Sequence, residues 1–224
     1  MILSRFRNKF RGTVLFNDPH RITPISSVFG LDRGTPIDRY YIGRFLSLQR
    51  ALIHGRVLEV GDNSYTRLYG TGVTSSEVLQ TTASNGVTLV GDLTDCTTLP
   101  PAEVDCFICT QTLNFIYDLP SAVNGIHHLL APGGTLLATV AGISQVSRYD
   151  MDRWGDYWRF TTASLAKLFA VHPWDDIQIE SQGNVLAATS FLQGVAVEDL
   201  PEPKLLDKLD PDYQVILTVV ARKR

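Results

Sequence analysis

The clearest structural pattern in the sequence is Arg56-Val-Leu-Glu-Val-Gly-Asp-Asn-Ser-Tyr-Thr66. An apolar run with one embedded acid stops at a glycine and is followed by residues that favour helix N-termini. This pattern is typical of a buried strand that turns into a helix. From here to the C-terminus, short β-like runs alternate with helical or loop stretches. Such alternation predicts an α/β fold, because it builds a largely parallel sheet covered by helices.

From this strand and the alternation that follows it, we predict a Rossmann-like, seven-stranded, mostly parallel sheet with helices on both faces and an N-terminal helical cap. The strands are expected at residues 56–60, 77–80, 87–90, 104–110, 135–140, 176–181 and 214–221. A helix is expected to begin at Pro120, because proline suits the first helical turn, and to stop at Ala131-Pro-Gly-Gly134. Its shared face carries Val123, Ile126, His127 and Leu130.

The segment before the sheet differs in kind. Thr35-Pro36 is a helix-start signal, and apolar residues, Tyr40 and Tyr41 among them, then follow helical spacing to about Ala51. We expect residues 1–54 to form an extension whose helix is laid across the carboxyl ends of the strands. Residues 55–224 are expected to form the main domain, and the two parts to make a single globular unit.

Composition excludes several classes of protein. The chain has 224 residues, 44% of them hydrophobic and 19% charged, with a formal charge of −3. This is an ordinary globular composition, and a slightly acidic chain has no long-range attraction for nucleic acid. No apolar run approaches the roughly 20 residues that cross a bilayer, and the N-terminus lacks the apolar core of a signal peptide. We therefore expect a cytoplasmic protein with neither a nucleic-acid nor a membrane partner.

The three cysteines, Cys96, Cys106 and Cys109, include a C-x-x-C pair that invites a metal or redox interpretation. Cys106 and Cys109 lie in a predicted strand, where residues three apart face opposite sides. Two thiols on opposite faces cannot share a zinc ion, so we expect buried structural thiols. No other cluster suggests a metal ligand set, and no metal site is predicted.

The turn after the first strand limits the ligand. A dinucleotide needs G-x-G-x-x-G at this turn, because its pyrophosphate must approach the backbone and the helix N-terminus. Only Gly61 of that pattern is present. A nicotinamide oxidoreductase is therefore the less favoured alternative, and a cofactor with a nucleoside but no diphosphate is favoured.

Three further segments carry a family likeness: Gly91-Asp-Leu93, Thr110-Gln-Thr-Leu-Asn-Phe-Ile116 and Leu129-Leu-Ala-Pro-Gly-Gly-Thr-Leu136. With the first turn, they make residues 56–224 similar to the class I S-adenosylmethionine-dependent methyltransferases. The resemblance implies S-adenosylmethionine as cofactor and S-adenosylhomocysteine as product. The expected cofactor contacts are Glu59, Gly61, Asp62, Asn63, Gln80, Asp92, Leu93, Thr110, Gln111 and Thr112. Tyr40, Tyr41 and Tyr65 are added as aromatic surroundings for the sulfonium, with a place in the core as their alternative role.

Two segments, Arg33-Gly-Thr-Pro-Ile-Asp-Arg-Tyr-Tyr41 and Asp150-Met-Asp-Arg-Trp-Gly-Asp-Tyr-Trp-Arg-Phe160, resemble small bacterial methyltransferases encoded among glycan or secondary-metabolite genes. The likeness implies O-methylation of a hydroxyl on a small sugar-containing or other polar metabolite. Two departures matter: the glycine-rich loop is reduced to Gly61-Asp62-Asn63, and Gln80 stands near the place of an acid that holds the ribose. Because of these departures, a non-catalytic binding protein with the same fold is the alternative interpretation. The oligomeric state is open, with a homodimer as one option.

Residues 146–160 interleave aromatic rings, carboxylates and guanidinium groups, as a polar ligand site would. The expected substrate contacts are Arg33, Arg148, Arg153, Trp154, Tyr157, Trp158 and Arg159, and the candidates for the catalytic base are Asp152, Tyr149 and His20. The alternative is a salt-bridged loop that its tryptophans fix to the sheet. His127 and His128 are expected to be structural, and His172 has no evident partner.

Overall fold

The computed structural model describes residues 20–224, which form one seven-stranded sheet. The strands are β1 (Gly55–Val60), β2 (Val73–Gln80), β3 (Leu89–Val90), β4 (Val104–Thr110), β5 (Leu130–Ala141), β6 (Trp174–Gln182) and β7 (Ile216–Lys223). Their order is β3-β2-β1-β4-β5-β7-β6, and β7 is antiparallel to both of its neighbours. The other ladders are parallel, which confirms the predicted seven-stranded, mostly parallel sheet.

Six α-helices accompany the sheet in the described residues: α1 (Ile37–Leu48), α2 (Ser64–Tyr69), α3 (Leu119–Leu129), α4 (Arg148–Met151), α5 (Thr162–Phe169) and α6 (Val185–Gln193). Their ends follow from local chemistry. The Asp118 side chain accepts a hydrogen bond from the Ser121 amide at the start of α3, and Thr161 with Ser164 forms a capping box at the start of α5. Gly194 ends α6 in the left-handed conformation, which costs glycine little.

Both faces of the sheet are covered, as predicted. One face buries Phe107 and Cys109 against α3 and α5. The other buries Cys106 and Ile108 against α1. The two strand cysteines therefore lie on opposite faces as free thiols, and burial raises the pKa of each to about 12. Such thiols are neutral and serve as small core residues.

Helix α1 does not lie where the sequence analysis placed it. Instead of crossing the carboxyl ends of the strands, it packs on a sheet face, where Ile42 and Leu46 are fully buried with Val57 and Ile108. The reason is that an apolar helix stripe removes more surface from water on the flat face than at the open edge. The helix shares this core with residues 55–224, and residues 1–19 of the predicted extension lie outside the described residues.

No helix in residues 20–224 is long and apolar enough to cross a membrane.

Candidate functional site

The structure brings the predicted cofactor loops together. Strands β3, β2, β1 and β4 are neighbours and parallel, so the residues that follow them meet at one edge of the sheet. Strands β2 and β3 lie on one side of β1 and β4 lies on the other, so the strand order reverses direction at β1. A crevice at such a switch point is where open α/β sheets bind ligands. Which of these residues touch the cofactor stays a prediction.

The β1–α2 loop offers space for a ligand. Gly61 has φ +90, and a side chain added there would meet no atom within 4 Å. The Gln80 side chain donates from Nε2 to the Gly61 carbonyl at 2.7 Å, and Asn63 donates to the Ser76 hydroxyl at 3.1 Å. Gln80 and Asn63 therefore hold the loop against β2, while the open side of Gly61 can accept a group that a larger residue would displace.

Glu59 fixes the start of α2. Its carboxylate is 2% exposed and accepts hydrogen bonds from the Tyr65 amide and from the amide and hydroxyl of Thr66, at 2.8 to 3.1 Å. Burial raises the pKa of Glu59 to about 7, although these hydrogen bonds oppose the shift. The structure thus places this predicted cofactor contact beneath the loop, where it positions the loop's backbone.

The loops that follow β3 and β4 contribute the other predicted cofactor residues at this edge of the sheet. Asp92 is exposed and accepts from the amide and hydroxyl of Thr94, while Leu93 is buried. Gln111 has φ +48, which is unusual for a residue other than glycine, and its amide donates to the Thr139 carbonyl at 2.7 Å. A strained residue at the end of β4 marks a functional position when it faces a ligand crevice. The flanking Thr110 and Thr112 are half-buried and bonded to each other.

The three tyrosines predicted to surround the sulfonium lie in different places. Tyr41 is 1% exposed, its hydroxyl donates to the Leu206 carbonyl, and it packs in the core with α6. Tyr40 donates to the Asp207 carboxylate. Tyr41 therefore takes the core position named as the alternative role, and the half-buried Tyr40 packs against the same core. Tyr65 stays at the β1–α2 loop, where its ring stacks on Tyr69.

The loop after β5 is held by an ion pair that the sequence did not reveal. Arg159 makes a bidentate pair with Asp156, whose side chain is 1% exposed, at 2.6 and 2.9 Å. The remaining Arg159 donors reach the carbonyls of residues 144, 145 and 158. All five guanidinium hydrogens are used, so Arg159 fixes the loop, which is the alternative that the sequence left open, and has no donor for a substrate.

Asn114, absent from the predicted residues, joins this loop to the sheet. Its side-chain oxygen accepts from the Ala141 amide, and its carbonyl accepts from the amides of Tyr157 and Trp158. It is 2% exposed. Because the Trp158 indole also donates to the Ile116 carbonyl, the loop after β5 is attached to the loop after β4 at several points. A buried asparagine just beyond a strand is the signal that could have indicated this role.

Four exposed aromatic residues stand on these two loops: Tyr117, Tyr149, Trp154 and Tyr157, between 48 and 70% exposed. We call this group the aromatic platform. Tyr117 lies edge-on to Tyr157 with ring centroids 5.3 Å apart, and Tyr149 lies edge-on to Trp154 at 6.1 Å. Tyr117 was not among the predicted residues. Exposed rings on a fixed loop provide flat apolar surface that a ligand can cover.

The other predicted substrate and base residues take different positions. Arg148 and Asp152 form an exposed pair at 3.4 Å, and Arg153 stacks on Tyr149 with its guanidinium carbon 3.4 Å from the ring centroid. Arg33 is paired with Asp199 near the end of α6, so the structure ties it to that segment. His20 is exposed at the start of the described residues. Of the three candidate bases, Tyr149 therefore belongs to the aromatic platform, and Asp152 lies three residues after it in the chain.

The histidines lie elsewhere. His127 and His172 stack with ring centroids 4.7 Å apart beside Trp174, which corrects the expectation that His172 has no partner. Burial lowers the pKa of both. No group of three or more potential metal ligands occurs in residues 20–224.

Comparison with known proteins now adds to this geometry. Residues 54–138 match a family model described as a methyltransferase domain. Residues 54–138 are therefore similar to a methyltransferase domain. This match supports the predicted enzyme class and cofactor. A comparison with curated proteins gave no match.

Solved structures share the fold of the methyltransferase domain at low sequence identity. Phosphoethanolamine N-methyltransferase 2 of Haemonchus contortus, in complex with S-adenosyl-L-methionine, is 15% identical with a TM-score of 0.55; the match covers 81% of this chain and 52% of that one. A S-adenosylmethionine-dependent methyltransferase of Mesorhizobium loti is 15% identical with a TM-score of 0.55, covering 84 and 98%. The N-methyltransferase NodS of Bradyrhizobium japonicum, bound to S-adenosyl-l-homocysteine, is 14% identical with a TM-score of 0.54, covering 89 and 93%. The chain thus spans about half the length of the first of these.

The residues at the carboxyl edge fit S-adenosylmethionine. Gly61 leaves open space beside the loop, Asp92 keeps a carboxylate oxygen exposed at the end of β3, and Gln111 holds a strained backbone at the end of β4. These residues would hold the amino-acid end, the adenine and the sulfonium side of the cofactor, in that order. When bound, the cofactor supplies a methyl group on a good leaving group.

Proposed function

We propose that this protein methylates a hydroxyl group of a small acceptor that contains a sugar or is otherwise polar. The observation that carries the proposal is the aromatic platform, which lies on the loops after β4 and β5 beside the predicted cofactor loops. Flat sugar or ring faces can cover exposed aromatic rings, while the nearby carboxylates and guanidinium groups bind hydroxyls or an anionic group. The formal charge of −3 favours a compact acceptor over a polyanion, because a slightly acidic chain has no long-range attraction for polyanions. We propose a cytoplasmic location for the protein.

The protein's part in the reaction is mainly positioning. Transfer requires the acceptor oxygen, the methyl carbon and the sulfur to stand in line, and correct placement of the reactants supplies much of the acceleration. The Asp156–Arg159 pair and Asn114 fix the loop that carries the platform, so the acceptor would meet a preformed surface. Asp152 and Tyr149 are the groups on this loop that could accept the hydroxyl proton.

The test is an assay with methyl-labelled S-adenosylmethionine and a panel of matched acceptors that differ only in a hydroxyl or an amine. Trp154→Ala and Tyr157→Ala should raise KM for the hydroxyl acceptor, because each removes stacking surface. Val171→Ala, which shortens an exposed apolar side chain far from the platform, should leave KM unchanged. Label found only on amines would contradict O-methylation. The non-catalytic alternative would be indicated by a different result. In that case the protein binds the cofactor but labels nothing in the panel, and Trp154→Ala leaves the binding of acceptors unchanged.

A further inference from the structure

An arginine from the first turn of α1 reaches over the β1–α2 loop. The Arg39 guanidinium donates to the Tyr65 hydroxyl at 3.4 Å, and Tyr65 is the second residue of α2. This contact joins the first turn of α1 to the β1–α2 loop, while Ile42 and Leu46, further along the helix, pack on the sheet face. Arg39 was not among the predicted site residues, and the structure places its positive charge at the predicted cofactor site.

The Arg39 guanidinium has weak partners. Among the described residues, its hydrogen bond to Tyr65 is long, and its nearest carboxylate is Asp38, at 4.0 Å. Its side chain is 44% exposed. Asp38 raises the pKa of Arg39, with smaller contributions from Tyr65 and Asp62, which indicates that Asp62 also lies near enough to act on it. A cation with spare donors is available to a ligand.

Asp62 supplies the opposite charge on the same loop. It is exposed, and one carboxylate oxygen accepts from the Ser64 amide at 2.7 Å. Although burial opposes the shift, hydrogen bonds from Ser64 and the charge of Arg67 lower the pKa of Asp62, so the group is an anion. Gly61, immediately before it, borders the open space described above. A cation that contacts the start of α2 and an anion on the β1–α2 loop therefore lie near a loop that has only one glycine.

We propose that Arg39 and Asp62 together bind the zwitterionic amino-acid end of the cofactor, Arg39 its carboxylate and Asp62 its ammonium group. This inference rests on the proposed function, because it requires that the cofactor binds at this edge. Few glycines limit how closely the ligand can approach the loop backbone. Charge-assisted hydrogen bonds from these two side chains would replace backbone contacts, and they are stronger than neutral ones.

The experiment is calorimetric titration with two probes. S-adenosylhomocysteine contains the amino-acid end, and 5′-methylthioadenosine has the same adenosine without it. Arg39→Ala and Asp62→Asn should each weaken S-adenosylhomocysteine binding by about tenfold or more and leave 5′-methylthioadenosine binding unchanged. Asparagine keeps the oxygen that accepts from Ser64, so Asp62→Asn preserves the turn. Arg39→Lys should recover part of the lost affinity.

Arg44→Ala is the matched control. Arg44 lies on the same helix but pairs with Asp207 at 3.0 Å, and its loss should change neither affinity. Equal weakening of both probes by Arg39→Ala, or no weakening of either, would overturn the proposal. If the unaltered protein binds neither probe, the proposed function fails instead. Thermal unfolding of each variant shows whether the fold is intact, and a destabilised Arg39→Ala is replaced in the comparison by Arg39→Gln.

Discussion

Glu59 makes the stability of this protein depend on pH in an unusual direction. Its folded pKa is about 7, against an ordinary value of 4.5, because burial disfavours the charged carboxylate. In the unfolded chain the proton is released near pH 4.5, and in the folded protein near pH 7. Between these values the folded protein holds the extra proton. The free energy of unfolding contributed by this group is therefore highest at low pH and falls as pH rises from about 4.5 to about 7.

The size of the effect follows from the separation of the two pKa values, about 2.5 units. At ~1.36 kcal/mol per unit, the maximum loss is about 3 kcal/mol. Urea unfolding, followed by the fluorescence of the three tryptophans, measures it at pH 5, 6, 7 and 8. Glu59→Gln has no proton to release, so its stability should lack this fall. Its overall stability should be lower by about 1 to 3 kcal/mol, because the amide nitrogen cannot accept from a backbone amide.

The difference in pH dependence between the unaltered protein and Glu59→Gln gives the contribution of Glu59 alone. His127 and His172, whose pKa values burial lowers, contribute a rise of stability with pH in both proteins and cancel in the comparison. Glu77→Gln is the control, since Arg56 lowers the pKa of Glu77 and its contribution is lost only at acidic pH. A fall in stability between pH 5 and 7 that persists unchanged in Glu59→Gln would show that Glu59 is not its source.

Two further predictions concern the loops around the site. Arg159→Met should lower the free energy of unfolding in urea by about 3 kcal/mol, because it leaves the buried Asp156 carboxylate without its partner. The control, Arg148→Met, breaks an exposed pair and should change it by less than about 1 kcal/mol. Equal effects would show that the Asp156–Arg159 pair does not hold the loop. Gln111→Gly should raise the free energy of unfolding by about 1 kcal/mol by relieving a positive φ, and should lower kcat/KM; lower stability in this variant would contradict the assignment of strain.

The strands were predictable where apolar residues run without interruption. Strand β4 has the predicted bounds, because Val104–Thr110 is buried on both faces. Strand β2 begins at Val73, earlier than expected, since the polar side chains at 74–76 hide its pattern. Here parallel pairing with β1 decides the structure, and such pairing is non-local.

The site was predictable only as a set of loops. The end of each parallel strand can be read from the sequence, so Gly61, Asp92 and Gln111 could be assigned to one edge. The roles of the arginines could not be predicted, because Arg148 and Arg159 lie in the same segment of aromatic and charged residues. Arg159 is distinguished by Asp156 and three carbonyls that only the folded loop brings within reach. Arg39 was missed for the same reason, since its approach to Tyr65 depends on how α1 packs.

We infer that the carboxyl edge of β1, β2, β3 and β4 binds S-adenosylmethionine. The most direct test of this inference is calorimetric titration of the unaltered protein with S-adenosylhomocysteine, repeated with Gly61→Val, which fills the open space beside the β1–α2 loop. We expect saturable binding of one ligand per chain in the unaltered protein and a loss of affinity of at least about tenfold in Gly61→Val, with thermal unfolding showing that the variant keeps a native fold. No binding at about 1 mM ligand, or full binding by a folded Gly61→Val, would contradict the inference.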